Sequence, residues 1–145
     1  MKTQDMEVFT RAFIGGVMFA TEIDVTPGED GYPAYMPLEE LAFENEGWDK
    51  LQAYLTNTAK EFVSDHERLL EGYIQAFMWE YPVSRTGAVD SAGVHAAFHC
   101  LNAGDTFDTT IEAGSDLYHE AGSPLEYLTE SLEYNPETEL VEVYV

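Results

Sequence analysis

The residue types best suited to chemistry cluster between His95 and His119: His95-x-x-x-His99-Cys100, then Asp105, Asp108 and His119. Two histidines four apart share one face of a helix, where they can hold one metal ion with a thiolate or carboxylate completing the set. The glutamate that stands beside the first histidine in metalloproteases is missing, because Val94 and Ala96 flank His95. On a strand the two imidazoles would stand about 13 Å apart and could not share an ion. Cys100 beside His99 has the pairing of an activated thiol, yet a lone small cysteine among apolar neighbours is ordinarily a buried packing residue. Serine, histidine and aspartate are all present, without the Gly-x-Ser-x-Gly elbow. These patterns assign no catalytic residue, metal ligand or cofactor, and a small metal-dependent hydrolase remains only as an alternative.

The elements that would position such groups follow from periodicity. From Trp48 to Glu80, Leu51, Leu55, Ala59, Phe62, Leu69, Tyr73 and Phe77 recur at helical spacing, with His66 on the same face as a core or boundary histidine. Ser64-Asp65-His66-Glu67 has the capping-box pattern, which predicts a division at Ser64, with one kinked helix as the alternative. Pro82 ends the run, and residues 84–91 read as a linker. Residues 94–101 suit either a helical turn or a strand; with turn chemistry at Asn102 to Asp105 and a threonine-rich stretch to Ile111, a hairpin is expected. Ser123-Pro124 predicts a helix running to about Tyr134, and residues 140–145 alternate as a terminal strand. Before the central stretch, Val8, Phe9, Ala12, Phe13, Gly16, Val17 and Ala20 predict a helix, with a strand from Gly16 to Ile23 as the alternative. Gly15 and Gly16 each cost that helix about 1 kcal/mol. Residues 24–37 read as a loop that Tyr32 and Tyr35 pin to the core, with an exposed contact surface at these tyrosines as the alternative, and residues 37–43 as a short helix. The expectation is one α+β domain over residues 1–145, its helices packed on a small antiparallel sheet.

Charge is the outlying property. Against 28 acids there are 6 bases, a formal net charge of −22, while 45% of residues are apolar, enough to build a core. Between Arg11 and Lys50 no base interrupts nine acids, and after Arg85 sixty residues carry twelve acids and no lysine or arginine. Spread evenly, such a charge gives about one negative per 340 Å², against about one per 110 Å² on a B-DNA cylinder. Only a segregated arrangement could resemble nucleic acid. The spacing of Asp24, Glu29 and Asp30 is not that of a calcium loop. Glu126, Glu130 and Glu133 would share one face of the expected last helix, where like charges repel.

The order of parts resembles a family of small uncharacterised proteins of tailed bacteriophages. In that family an aromatic-apolar segment precedes an acidic Pro/Gly loop, a helix ending in a leucine pair, and a hairpin of the form A-G-x-D-F-W-L-T-R-N-G-H-G-A-G-F-W-D. Here Leu69-Leu70 follows Phe62, while Ala92-Gly93, Leu101-Asn102 and Phe107-Asp108 fall near the start, middle and end of the hairpin segment. Histidines and Cys100 stand where the family carries arginine and tryptophan. The resemblance implies a phage accessory protein, and it carries over no activity and no catalytic residue.

Together these features predict a nucleic-acid mimic that inhibits a host DNA- or RNA-binding defence or repair protein. The expected contact residues are Glu22, Asp24, Glu29, Asp30, Glu39, Glu40, Glu44, Glu46, Asp105, Asp108, Glu126, Glu130 and Glu133. Direct nucleic-acid binding is opposed by the charge, and no apolar run is long enough for a membrane span. A lone cysteine and no signal-like run fit the cytoplasm. Homodimerisation is compatible with all of this. The alternative to mimicry is a halophilic or simply highly soluble protein whose acids bind hydration water and salt.

Overall fold

The computed structural model describes residues 1–26 and 32–145. Four helices lie among these: α1 (Thr3–Ala20), α2 (Gly47–Glu80), α3 (Arg85–Cys100) and α4 (Glu112–Glu120). Five short strands accompany them: β1 (Glu22–Asp24), β2 (Tyr35–Pro37), β3 (Ala42–Phe43), β4 (Leu132–Asn135) and β5 (Leu140–Val143). β1 and β2 form an antiparallel pair; β5 runs parallel to β3 and antiparallel to β4. The fold is α+β, its sheet divided into a two-stranded antiparallel piece and a three-stranded mixed one.

α1 forms as its apolar spacing predicts, and it buries Phe9, Phe13 and Val17 completely. It packs closely on α3, which presents Ala88, Ala92, Gly93, Ala96 and Ala97 to the interior instead of large side chains. A Cβ placed on Gly93 would stand 2.6 Å from the Phe9 carbonyl, and one on Gly16 would stand 3.0 Å from the Ala97 Cβ, so those two glycines are required by the approach. Gly15 has nothing within 4 Å of that position, and no packing explains it.

Residues 84–100, read from sequence partly as linker and partly as hairpin, are instead the cap and body of α3. Ser84 accepts a hydrogen bond from the Gly87 amide at 3.0 Å. The helix ends in a Schellman arrangement: Asn102 takes a left-handed φ of 57°, and the Asn102 and Ala103 amides donate to the His99 and Phe98 carbonyls. The stretch from Thr106 to Ile111 is turn rather than strand, and it leads into α4, which was not anticipated. The predicted helix from Ser123 to Tyr134 is replaced by turns, a 3-10 segment (Leu128–Ser131) and β4. Pairing decides this: β5 forms as expected, and Leu132 to Asn135 supply its antiparallel partner. Residues 37–43 likewise form a 3-10 turn (Leu38–Glu40) and β3, and the expected loop at 24–37 begins and ends in paired strands.

α2 bends where its backbone leaves helical geometry at His66 (φ −131°, ψ 25°), two residues beyond the predicted division. The His66 ring lies 4.9 Å from that of Phe62, on the apolar face as read from the sequence. Three helices are tied by Arg85, which donates to Glu71 at 2.9 and 2.8 Å and to Asp5 at 3.1 Å. The Arg85 hydrogen bonds hold the Glu71 carboxyl below its ordinary value. Partial burial pushes Asp5 upward, but its hydrogen bonds from Arg85 and the Lys2 amide outweigh that and leave it lowered too.

Candidate functional site

The histidine and cysteine cluster resolves into structural pairings. His95 and His99 lie on α3, so the helical condition for a shared metal is met, but each imidazole is already engaged. The Tyr73 hydroxyl accepts the Asp108 amide at 3.0 Å and is hydrogen-bonded to His95 Nδ1 at 2.9 Å. His99, buried, bonds the Ala121 carbonyl at 2.7 Å and the Thr106 hydroxyl at 3.2 Å. Burial holds His95 below its ordinary value against the pull of Asp108 and Asp105. Burial also pushes the Tyr73 hydroxyl and the Cys100 thiol up to about 12, which leaves Cys100 protonated and unreactive. Among the described residues no group of three or more His, Cys, Asp or Glu is placed to hold a metal ion.

Few of the acids among the described residues are neutralised from within. Among the described residues the ion pairs are those of Arg85 with Asp5 and Glu71 and of the N-terminal amine with Glu67. Arg11 and Lys60 instead border a groove of about 790 Å³ between α1 and α2, floored by Met6, Ile14 and Met18. The accessible surface of 8426 Å² over 22 net negative charges leaves about 380 Å² per charge, so segregation decides whether any face is dense in carboxylate.

Segregation does occur, where strands bring the two acidic blocks of the sequence together. β1 lies beside β4. A hollow of about 350 Å³ between them is lined by Glu22, Asp24 and Tyr35 from the first block and by Thr129, Glu133 and Tyr134 from the second. An adjoining hollow of about 450 Å³ shares Glu22, Tyr35 and Thr129 and adds Thr21, Asn102 and Glu126. Backbone bonds fix its walls: the Leu125 amide donates to the Cys100 carbonyl at 2.9 Å, and the Leu38 amide to the Thr21 carbonyl at 2.9 Å. Asn102 donates to Glu126 at 3.4 Å. Asp24 accepts from the Thr26 hydroxyl and amide and from the Ala34 amide, and these bonds, the hydroxyl's foremost, hold its carboxyl below the ordinary value.

Acids continue past Glu133 across β4 and β5. Glu133 pairs with Glu142, and the Tyr144 hydroxyl donates to Glu142 at 2.5 Å. That bond, together with the negative charges of Glu142, Glu133 and Glu44, raises Tyr144 to about 12. Glu22, Asp24, Glu126 and Glu133 from the predicted set therefore converge, and Glu44 stands close enough to Tyr144 to be felt there.

The remaining predicted acids are dispersed. Glu39 and Glu40 are exposed on the 3-10 turn after β2, and Glu46 is exposed ahead of α2. Glu130, exposed on the second 3-10 segment, lines neither hollow, and Glu126, Glu130 and Glu133 do not share a helix face. Asp105 stands in the loop after α3. Asp108 is occupied internally, accepting from Thr110 and from the Tyr81 hydroxyl. Glu29 and Asp30 lie outside the described residues.

Two participants were missed from sequence, Glu142 and Tyr144; the alternation of β5 was the available signal for Glu142, since it turns Val141 and Val143 inward. Tyr32 and Tyr35, expected to pin the loop to the core, are instead 82% and 60% exposed. Tyr35, Tyr127 and Tyr144 thus offer aromatic surface in the same region as the acids. Among the described residues no helix is long and apolar enough to cross a membrane. Compared with family models, curated proteins and solved structures, the chain matches none.

Proposed function

We propose that this chain is a phage-type acidic accessory protein that acts in the host cytoplasm by occupying the cationic groove of a DNA- or RNA-binding defence or repair protein. One observation carries the reading: Glu22 lines two adjoining hollows, one with Asp24 and Glu133 and the other with Glu126, and Glu133 faces Glu142 across the ladder, with exposed tyrosines nearby. Carboxylates gathered on one side of the fold substitute for phosphates in a basic groove, and tyrosines supply contact area at low entropic cost. The phage assignment rests on the resemblance at Leu69-Leu70, Ala92-Gly93, Leu101-Asn102 and Phe107-Asp108.

The test is affinity capture from a bacterial lysate with stepwise salt elution, run on the native chain and on the fourfold variant Glu22→Gln, Asp24→Asn, Glu126→Gln, Glu133→Gln. The native chain should retain nucleic-acid-binding proteins that rising salt and added duplex DNA release, and the variant should lose them. A capture without any nucleic-acid-binding protein sinks the mimic. A chain that unfolds below about 0.15 M salt would favour the halophilic alternative instead.

A further inference from the structure

Along the outer side of α1, Thr3, Glu7, Arg11 and Gly15 follow one another four residues apart, and all four are exposed. Residues at that spacing form one ridge of a helix. The ridge borders the groove between α1 and α2, whose apolar floor is continued by Trp48 of α2. Met6, Ile14 and Trp48 pack on the core from there while keeping part of their surface outward. Charge sets the groove apart. Arg11 and Lys60, two of the six bases, line it with Glu7 as its one acid, so it is locally cationic on a chain of net charge −22. It shares no lining residue with either acidic hollow. Among the described residues neither Glu7 nor Arg11 takes part in an ion pair, although they stand one turn apart. Gly15 costs α1 about 1 kcal/mol, yet nothing beyond its own helix lies within 4 Å of where a Cβ would be.

These features select an occupant. A third helix fills the groove between two others, and a ridge that carries a carboxylate and a guanidinium one turn apart complements its own copy. Set antiparallel about the midpoint between Glu7 and Arg11, two α1 ridges place Glu7 of each copy opposite Arg11 of the other, and Thr3 opposite Gly15. Both contacts then occur twice, as an isologous twofold interface requires. Gly15 gives the opposing helix room to approach, and the methionines of the floor adapt to its side chains. A small anion would meet Glu7 as well as the bases and would leave Gly15 without a reason. At about 0.15 M salt, charges more than about 8 Å apart are largely screened, so the charges at the contact govern the approach rather than the two acidic bodies as wholes.

We infer that the α1–α2 groove is a homodimer interface, α1 of each copy lying in the groove of the other with Glu7 and Arg11 paired reciprocally. The dimer does not depend on the proposed mimicry, because no acid of the two hollows takes part in it.

Sedimentation equilibrium of the full chain over about 1–100 μM, in about 0.15 M salt, tests this. The native chain should dimerise with a micromolar dissociation constant. Glu7→Arg and Arg11→Glu should each weaken the dimer at least about tenfold by setting like charges opposite each other. The double variant Glu7→Arg, Arg11→Glu should recover most of that loss, since the pairs return with their signs exchanged. Gly15→Leu should separate the copies while the chain stays folded, because the new side chain meets nothing within it. All three positions are exposed, and thermal melts of each variant check that the fold persists. A native chain that stays monomeric to about 100 μM overturns the inference. So does a dimer undiminished by Gly15→Leu, which places the interface elsewhere, and so does a double variant no tighter than the single ones. A monomeric chain that takes up dodecanoate in calorimetric titration, and loses it in Arg11→Glu, would assign the groove to a small amphiphilic anion and overturn the dimer.

Discussion

Glu133 and Glu142 sit directly opposite each other across the β4–β5 ladder, two carboxylates in one cross-strand pair. Like charges in that position repel, and among the described residues no base is paired with either. Glu142 receives the Tyr144 hydroxyl, so Glu133 is the member whose neutralisation relieves repulsion without removing a hydrogen bond. Glu133→Gln should therefore stabilise the chain by about 0.2–1 kcal/mol, with the gain shrinking as salt screens the pair. Denaturant titrations at low and high salt measure this. The same variant should weaken target binding, so stability and function should move in opposite directions. A Glu133→Gln chain that is less stable at low salt would show that the pair is not repulsive.

The helical glycines should separate sharply on substitution. Gly93→Ala puts a methyl against the Phe9 carbonyl and the Ala12 Cβ, backbone and a packed helix that cannot yield cheaply, and should cost about 2–3 kcal/mol. Gly114→Ala meets the Asp108 carbonyl and the Tyr73 ring and should be at least as damaging. Gly15→Ala meets nothing and should add about 1 kcal/mol from helix propensity alone. Urea midpoints of the three variants give the order, and a stable Gly93→Ala chain would mean that α1 and α3 are not held at this separation.

This contrast also explains how much of the molecule was legible in its sequence. α2 could be read because Leu51, Leu55, Ala59 and Phe62, and again Leu69, Tyr73 and Phe77, are mostly large and spaced by threes and fours. α3 has the same spacing in Ala88, Ala92, Ala96 and in Val89, Gly93, Ala97, Cys100, but small residues among serine, threonine and glycine resemble a linker until a partner helix needs the close approach. Leu125, Leu128 and Leu132 are spaced for a helix and all are buried, yet Leu132 is committed to β4 through Val143, a pairing that local spacing cannot reveal. The acidic blocks were visible as blocks. That Glu22 meets Glu126 and Glu133 depends on β1 lying beside β4, more than a hundred residues away in sequence.

Cys100 should be silent in the native chain. It is fully buried, and its thiol is raised to about 12 by that burial, so almost no thiolate exists near neutrality. A disulfide reagent at pH 8 should leave it unmodified over minutes and label it at once in denaturant, making the residual native rate a measure of opening at the α3 end. Complete labelling of the folded chain within the mixing time would contradict the burial.

His95 should give the acid limb of stability an early onset. Its ring is enclosed by Tyr73, Phe77 and Phe107, with Asp108 and Asp105 as the charges that act on it. Desolvation lowers its folded-state value below the ordinary 6.5 despite those carboxylates. A group lowered in the folded state binds its proton more readily when unfolded, so its contribution is complete above about pH 6.5 and is lost as pH falls from there toward the folded value. Protonation would also fix a hydrogen on Nδ1, which is bonded to the Tyr73 hydroxyl that holds the Asp108 amide. His95→Asn offers an oxygen to the same hydroxyl and does not titrate. Below pH 6.5 the stability of the native chain should therefore fall relative to His95→Asn, by at most about 1.4 kcal/mol per pH unit, and above it the two curves should run parallel. Parallel curves across the whole range would remove His95 from the acid response.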